Sequence, residues 1–539
     1  MRILLLRPPR YVWPFNSETS AFWQPLGLLC LAAAVLRDMP GAQVEVWDCP
    51  GQKCGWRTLE QRLAAERIDV LGVGEETVSA HEAIRAAALV KRLWPDCVVV
   101  AGGVYFAHAI EGTLGASPKS AIPKGASVRN SKCAAGEPGS VDVIVRGEGE
   151  ATFVELLRNL HDRARWATIP GIAFRDSSGG LVITPARPLI EDMDALPMPA
   201  YVLLDMSLYG RSSRNHPALV SVEHSRGCTD NCNFCILWKQ MGSSIDNNGR
   251  VRPVYRTKSA QRSFEEVAWL HRRFGRRTFG WVDPTFNGSP AWSDRWAELM
   301  LCSDMMDGRG QPRTLHTAWV RADGIIRDQK LGVLDKLVRA GLRQVMIGVE
   351  RDDAAGLAAL GKHNNSADVS AEAFAILRER HPKVYTIGTM IFGLPGDTRE
   401  DLMRLVDCQY RMGMDYCFIM PLTPNPGTAV AENALREGLV ANEDLASYNF
   451  HTPVCRTESM GLRELESVYW RLSLKPGRRR AAVLLAQMFR QRDRRKRRVN
   501  MALFRRGTAI AARSFLRAIL HPGDRQPTLY SRRPSWYDD

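Results

Sequence analysis

The sequence predicts an α/β protein made of two successive parallel sheets and a helical end. Short apolar runs, each suited to a strand buried on both faces, recur five times before residue 165. They recur six more times between 218 and 425, again with helically spaced segments between them. No apolar run reaches the roughly 18 residues that a spanning helix needs. The opening MRILLLRPPR, bounded by arginines and without a small-residue cleavage site, reads as a first strand and not as a signal peptide.

In residues 1–165 the expected strands are 2–7, 43–48, 69–74, 97–102 and 141–146, with helices near 25–38, 56–67, 79–94 and 150–161. Five such units imply a doubly wound, flavodoxin-like sheet of five parallel strands, with ligands beyond the carboxyl ends of its strands. Residues 112–140 are rich in Gly, Ser, Ala and Pro, have no periodicity, and are expected to form a flexible insertion. Residues 166–217 read as a connector. A hairpin is expected where 172–174 and 181–184 flank DSSGG, before Pro185, Pro188, Pro197 and Pro199 discourage helix.

From 218 to 425 the expected strands are 218–224, 278–283, 315–320, 343–349, 384–392 and 415–420. Ser263 and Glu266 have capping-box spacing, and Gly341 suits a left-handed helix stop. Six units in succession suggest an incomplete (β/α)6 barrel, with function on the loops at the carboxyl ends of its strands. Residues 426–539 read as mainly helical.

The 539 residues are 45% hydrophobic and 24% charged, which suits a globular chain of about three domains. The net charge of +15 is local: 471–513 holds fifteen Lys or Arg against one acid, Asp493. A nearly neutral body argues against a nucleic-acid groove through the core. The basic tail interleaves arginine with apolar residues. That pattern fits a packed bundle with a solvated face, or an interfacial helix touching an anionic lipid surface. The expected location is the cytoplasm, with the tail as the route to any peripheral membrane contact.

Twelve cysteines are too few for a disulfide scaffold of this length. Nine are scattered. Cys228, Cys232 and Cys235 stand together in SRGCTDNCNFCILW, directly after the first strand of the second unit. A structural zinc site needs four protein ligands, and no further Cys or His follows nearby; His224 lies within the expected strand. Three thiolates on a 4Fe-4S cube would leave one iron open to a substrate or cofactor.

The C-x3-C-x2-C spacing after the first strand of a six-unit barrel resembles the radical S-adenosylmethionine superfamily. The resemblance implies that Cys228, Cys232 and Cys235 carry a 4Fe-4S cluster whose open iron chelates S-adenosylmethionine. It also implies reductive cleavage to methionine and a 5′-deoxyadenosyl radical, which takes hydrogen from the substrate. An external low-potential donor, such as a ferredoxin or flavodoxin, would supply the electron. By the same resemblance Phe234 lies near the adenine, Asp283 and Glu350 are methionine or ribose contacts, and Gly393 in TIGTMIFGLPGDT lets the backbone approach the adenine. LTPNPGTAVAENALREGL supports membership without assigning chemistry.

A doubly wound sheet before this barrel, with PLGLLCLAAAVL, VVVAGG and VRGEGEATF, resembles the cobalamin-binding subgroup that includes the anaerobic magnesium-protoporphyrin ester cyclase and cobalamin-dependent methylases. That implies cobalamin near Gly102 and Gly103. The loop after the first strand, PPRYVWPFN, departs from the D-x-H-x-x-G pattern of many cobalamin domains. It has no histidine to bind cobalt from below. Methylthiotransferases also join an α/β domain to such a barrel, but the cysteines of the first domain do not match their second cluster. The expected function is therefore methylation at an unactivated carbon of a small-molecule substrate. Oxidative cyclisation or rearrangement, of a tetrapyrrole or another small molecule, is the alternative within the class. A non-enzymatic cobalamin or iron–sulfur sensor is the alternative outside it.

Overall fold

The computed structural model describes residues 1–10, 23–74, 76–115, 139–210, 218–245, 250–474, 493–498, 501, 505 and 535–539. The first sheet contains β1 (Arg2–Arg7), β2 (Gln43–Asp48), β3 (Val70–Gly74), β4 (Val98–Gly102), β5 (Val143–Val145), β6 (Ile172–Arg175) and β7 (Leu181–Ile183). Its order is β2-β1-β3-β4-β5-β6-β7. The first five strands run parallel and the last two join antiparallel. The sheet thus has seven strands and not five. The hairpin expected within the connector adds to its edge, because β6 offers Ile172, Ala173 and Phe174 as register partners to the apolar β5.

Alternation along β1 shows why both faces are covered. Ile3 and Leu5 pack with the helices Leu26–Asp38 and Gly149–Arg158, whereas Leu4 and Leu6 pack with Trp56–Ala65 and Ala80–Leu93. Trp536 and Tyr537, near the end of the chain, join the second of these layers. Tyr537 O accepts from Trp56 N at 3.1 Å.

The short strands β8 (Leu219–Val222), β9 (Ser225–Arg226), β10 (Ser243–Ile245), β11 (Val251–Pro253) and β12 (Arg256–Thr257) precede β13 (Thr278–Trp281), β14 (Leu315–Val320), β15 (Leu342–Glu350), β16 (Tyr385–Phe392) and β17 (Tyr416–Pro421). The second sheet is parallel, with the order β17-β16-β15-β14-β13-β8, and β10-β11 and β12-β9 form two antiparallel pairs beside it. Consecutive strands are neighbours with helices between them. Val220, Phe279, Ala318, Val345, Met390 and Phe392 bury one face in the main core.

Local details differ from expectation. The helix Ala260–Phe274 is capped by Ser259, whose side chain accepts from Arg262 N. Ser263 lies inside that helix and donates to Ser259 O at 3.1 Å, so the earlier serine takes the cap. Glu266 is left free to pair with Lys258 at 3.0 Å. The reciprocal capping box forms instead at Thr398 and Asp401. Gly341, at φ +115, follows the helix Val333–Arg339.

Most of the 112–140 insertion, residues 116–138, lies outside the described residues, as does most of the basic tail. The described piece, 493–498, packs under the second sheet: Lys496 pairs with Asp415 at 2.8 Å, and Arg495 donates to Arg343 O at 3.4 Å. Among the described residues no helix is long and apolar enough to cross a membrane.

Candidate active site

The carboxyl ends of the two sheets meet at one junction. His108, in the loop after β4, presses on Gly427, in the loop after β17. Glu148 and Glu150, just after β5, reach Arg226 of β9. Burial, aided by Lys239 and Arg146, holds the His108 imidazole below its ordinary pKa.

The three cysteines sit on the loop that enters this junction from β8. Gly227 stands directly before Cys228 at φ +83, and any Cβ there would run into Val254 O. Only glycine passes the chain through this gap. Cys228 Sγ lies 3.1 Å from Thr285 Oγ1, Cys232 O accepts from Trp238 Nε1 at 3.1 Å, and Asp230 pairs with Arg321 at 3.0 Å. All three cysteines are free. Burial pushes the Cys235 thiol up to about 11, with Cys228 and Glu350 adding to the rise. Burial also raises the Cys232 thiol, where Lys362 opposes the shift and Asp230, Cys235 and Glu350 reinforce it. The thiols thus lie within one another's field.

Among the described residues no three His, Cys, Asp or Glu side chains converge on a single ion. An iron–sulfide cube asks for something different, since each thiolate binds a separate iron. Three free thiols on one loop, Cys232 buried and Cys228 and Cys235 half-buried, whose ionisation a cationic centre would favour, fit that group.

The other expected contacts are distributed unevenly. Phe234 packs with Leu360, Ile391, Leu394 and Leu422, beside the turn after β16. Gly393 has φ +83, and its amide donates to Asp397 at 2.8 Å. Glu350 ends β15 at φ +64, a strained conformation for a residue with a side chain, and pairs with Lys362 at 3.0 Å. Asp283 lies buried beside the strand end that leads into the cysteine loop. It is 0% exposed, and its Oδ1 accepts from His224 N, Ser225 N and Ser225 Oγ, which shapes the turn beneath the cysteines.

In the first sheet, Gly74 and Gly102 are register partners at the ends of β3 and β4. Among the described residues, a Cβ at Gly74 would touch only Gly102, and one at Gly147 would meet nothing within 4 Å. Gly103 follows, exposed, at φ +87. Among the described residues this strip without side chains leaves room at the carboxyl edge for a flat ligand, which fits a corrin.

Sequence reasoning missed Arg226, Tyr255, Thr285 and Lys362. Tyr255 donates to Thr285 O at 3.2 Å and lies 3.4 Å from His224 Nε2. Burial raises its phenol pKa. Gly227 was the one local signal, since a glycine directly before a cysteine marks a tight backbone passage. Lys362 lies far along the chain from the cysteines and carries no local mark.

Residues 222–408 match the family model described as the Radical SAM superfamily. The chain carries a radical SAM domain. Its homologues include an uncharacterized methyltransferase of Pyrococcus horikoshii, 25% identical over 85% of this chain and 88% of that protein. Another is the anaerobic magnesium-protoporphyrin IX monomethyl ester cyclase of Rubrivivax gelatinosus, 25% identical over 86% of this chain and 75% of the cyclase. The solved radical S-adenosylmethionine methyltransferase TsrM from Kitasatospora setae, with cobalamin and a [4Fe-4S] cluster bound, is similar at TM-score 0.61 and 18% identity, covering 87% of this chain and 88% of that one. OxsB, a cobalamin-dependent S-adenosylmethionine radical enzyme, is similar at TM-score 0.63 and 14% identity, covering 98% of this chain and 74% of that one. These two likenesses are of fold. A radical SAM domain implies a 4Fe-4S cluster and S-adenosylmethionine as cofactors.

Proposed function

We propose that this chain is a cobalamin-dependent radical SAM enzyme that methylates an unactivated carbon of a small molecule. One observation carries the reading. The loop bearing the three free cysteines is ion-paired, through Arg226 and Glu150, to the carboxyl edge of a sheet whose glycines leave room for a flat ligand. Cys228, Cys232 and Cys235 would hold the cluster, and Gly102 and Gly103 would face the corrin. When bound, the cluster supplies one low-potential electron for S-adenosylmethionine cleavage, and the corrin carries a transferable methyl group.

The chain's own residues bind and orient. Phe234 and its apolar neighbours offer a surface for the adenine, and Gly393 keeps the backbone beside them low. Glu350 and Lys362 place one carboxylate and one ammonium beside the cysteine loop, suited to the amino and carboxylate groups of the methionine end. Asp283 holds the turn before the cysteines through its Oδ1. The boundaries that go with this reading are a cobalamin-binding unit over 1–165, a connector over 166–217, a partial barrel over 218–425 and a helical region over 426–539. The electron would come from a ferredoxin- or flavodoxin-like donor in the cytoplasm, with membrane contact confined to the tail.

The test is anaerobic purification, followed by iron, sulfide and corrin analysis and by product analysis with S-adenosylmethionine and reductant. Methylation releases both S-adenosylhomocysteine and 5′-deoxyadenosine. The similarity to the ester cyclase over 86% of this chain favours oxidative cyclisation as a second reading, and that outcome would release 5′-deoxyadenosine alone.

A further inference from the structure

Between the sheets lies a buried set of charges that the proposed chemistry does not use. Arg226, 6% exposed, donates to three carboxylates at once: Nη1 to Glu148 at 2.9 Å, Nη2 to Glu150 at 2.6 Å and Nε to Glu223 at 3.0 Å. Its antiparallel register partner Arg256 also binds Glu148, at 2.9 Å. Lys258 pairs with Glu266, which accepts from Tyr201 Oη at 3.1 Å. Four carboxylates therefore meet three cations. Two of those carboxylates, Glu148 and Glu150, come from the loop and helix that follow β5 of the first sheet, within three residues of Gly147. Arg226 lies two residues before Cys228.

Buried ion pairs are costly to desolvate and are often replaceable by apolar packing, so stability alone is a weak reason for this arrangement. A guanidinium held in three directions has a fixed position, and the backbone it belongs to leads straight into the cysteine loop. We propose that Arg226 is a positioning residue: through it, Glu148 and Glu150, just after β5, fix the cysteine loop in the geometry that binds S-adenosylmethionine. The proposal rests on the cluster reading above but not on the corrin.

The test uses full-length protein, reconstituted anaerobically with iron and sulfide. Three quantities are compared between wild type and Glu150→Gln: iron and sulfide content, the dissociation constant for S-adenosylmethionine, and the electron paramagnetic resonance spectrum of the reduced cluster with S-adenosylmethionine present. The expected result is unchanged iron and sulfide, about 10- to 100-fold weaker binding and an altered spectrum, with Glu150→Asp recovering part of the affinity. A merely structural pair would lower the melting temperature and leave affinity and spectrum as in wild type, and that result overturns the proposal. If Glu150→Gln does not fold, Arg226→Lys takes its place under the same criteria. It keeps the charge but cannot span three carboxylates. A wild type that takes up no iron would remove the cluster reading, and this inference with it. A clustered wild type beside insensitive variants would remove this inference alone.

Discussion

The side-chain amide of Gln24 completes the hydrogen-bond ladder at the edge of the second sheet: its Oε1 accepts from Ser221 N at 2.8 Å, and its Nε2 donates to Leu219 O at 3.1 Å. β8 pairs with β13 on its other side. One residue between β1 and the first helix therefore stands in for a neighbouring strand. Gln24→Leu would leave two buried backbone groups without partners, at a cost of about 1–3 kcal/mol for each. Urea unfolding of the variant should show that loss, and an unchanged midpoint would mean that another group satisfies the edge.

Each of Cys228→Ala, Cys232→Ala and Cys235→Ala is expected to remove most of the iron and sulfide, about four of each per chain, and to abolish 5′-deoxyadenosine formation. The exposed Cys302 gives the control. Cys302→Ala should retain both. Metal analysis and chromatography of the products decide it.

Gly348 leaves room for the Glu350–Lys362 pair: a Cβ there would collide with Glu350 Oε1 and stand 2.7 Å from Lys362 Nζ. Gly348→Ala should displace the pair and weaken S-adenosylmethionine binding about tenfold while iron content holds. Calorimetric titration of the reconstituted variant reads this directly, and wild-type affinity would separate the pair from the ligand.

His316 sets a pH limit on stability. Burial holds its imidazole down at about 3, with Trp281 Nε1 donating to its Nδ1 at 3.2 Å and Thr314 Oγ1 3.1 Å from its Nε2. The unfolded chain takes up the proton near pH 6.5 and the folded chain does not. The stability from this group is therefore complete above pH 6.5, and is lost as pH falls toward 3. About 2 kcal/mol should go between pH 7 and pH 5. His316→Gln should flatten that part of the pH–stability profile. Equal slopes for the two proteins would assign the loss to other groups.

Much of this fold was legible because its signals are local. β1, β2 and the helices after them follow from apolar runs and 3.6-residue spacing, which act within a dozen residues. The three cysteines were legible for the same reason. The hairpin at 172–183 was visible as a hairpin but not as the sixth and seventh strands of a sheet, because its partner β5 lies across a helix and a turn. Ser263 has the spacing of a cap to Glu266 in the sequence. Ser259, four residues earlier, took that role, and packing sent Glu266 inward to Lys258.

By itself the sequence determined the strand and helix alternation, the cysteine loop and the likeness to radical SAM proteins, all carried by residues close in the chain. Tertiary structure alone decided that Arg226 is gripped by Glu148 and Glu150, that His108 rests on Gly427, that Glu350 finds Lys362, and that Asp283 turns inward. Those relationships join residues whose approach depends on how whole layers pack. Burial then fixes which charges must be paired, and neither fact is written in any short stretch of chain.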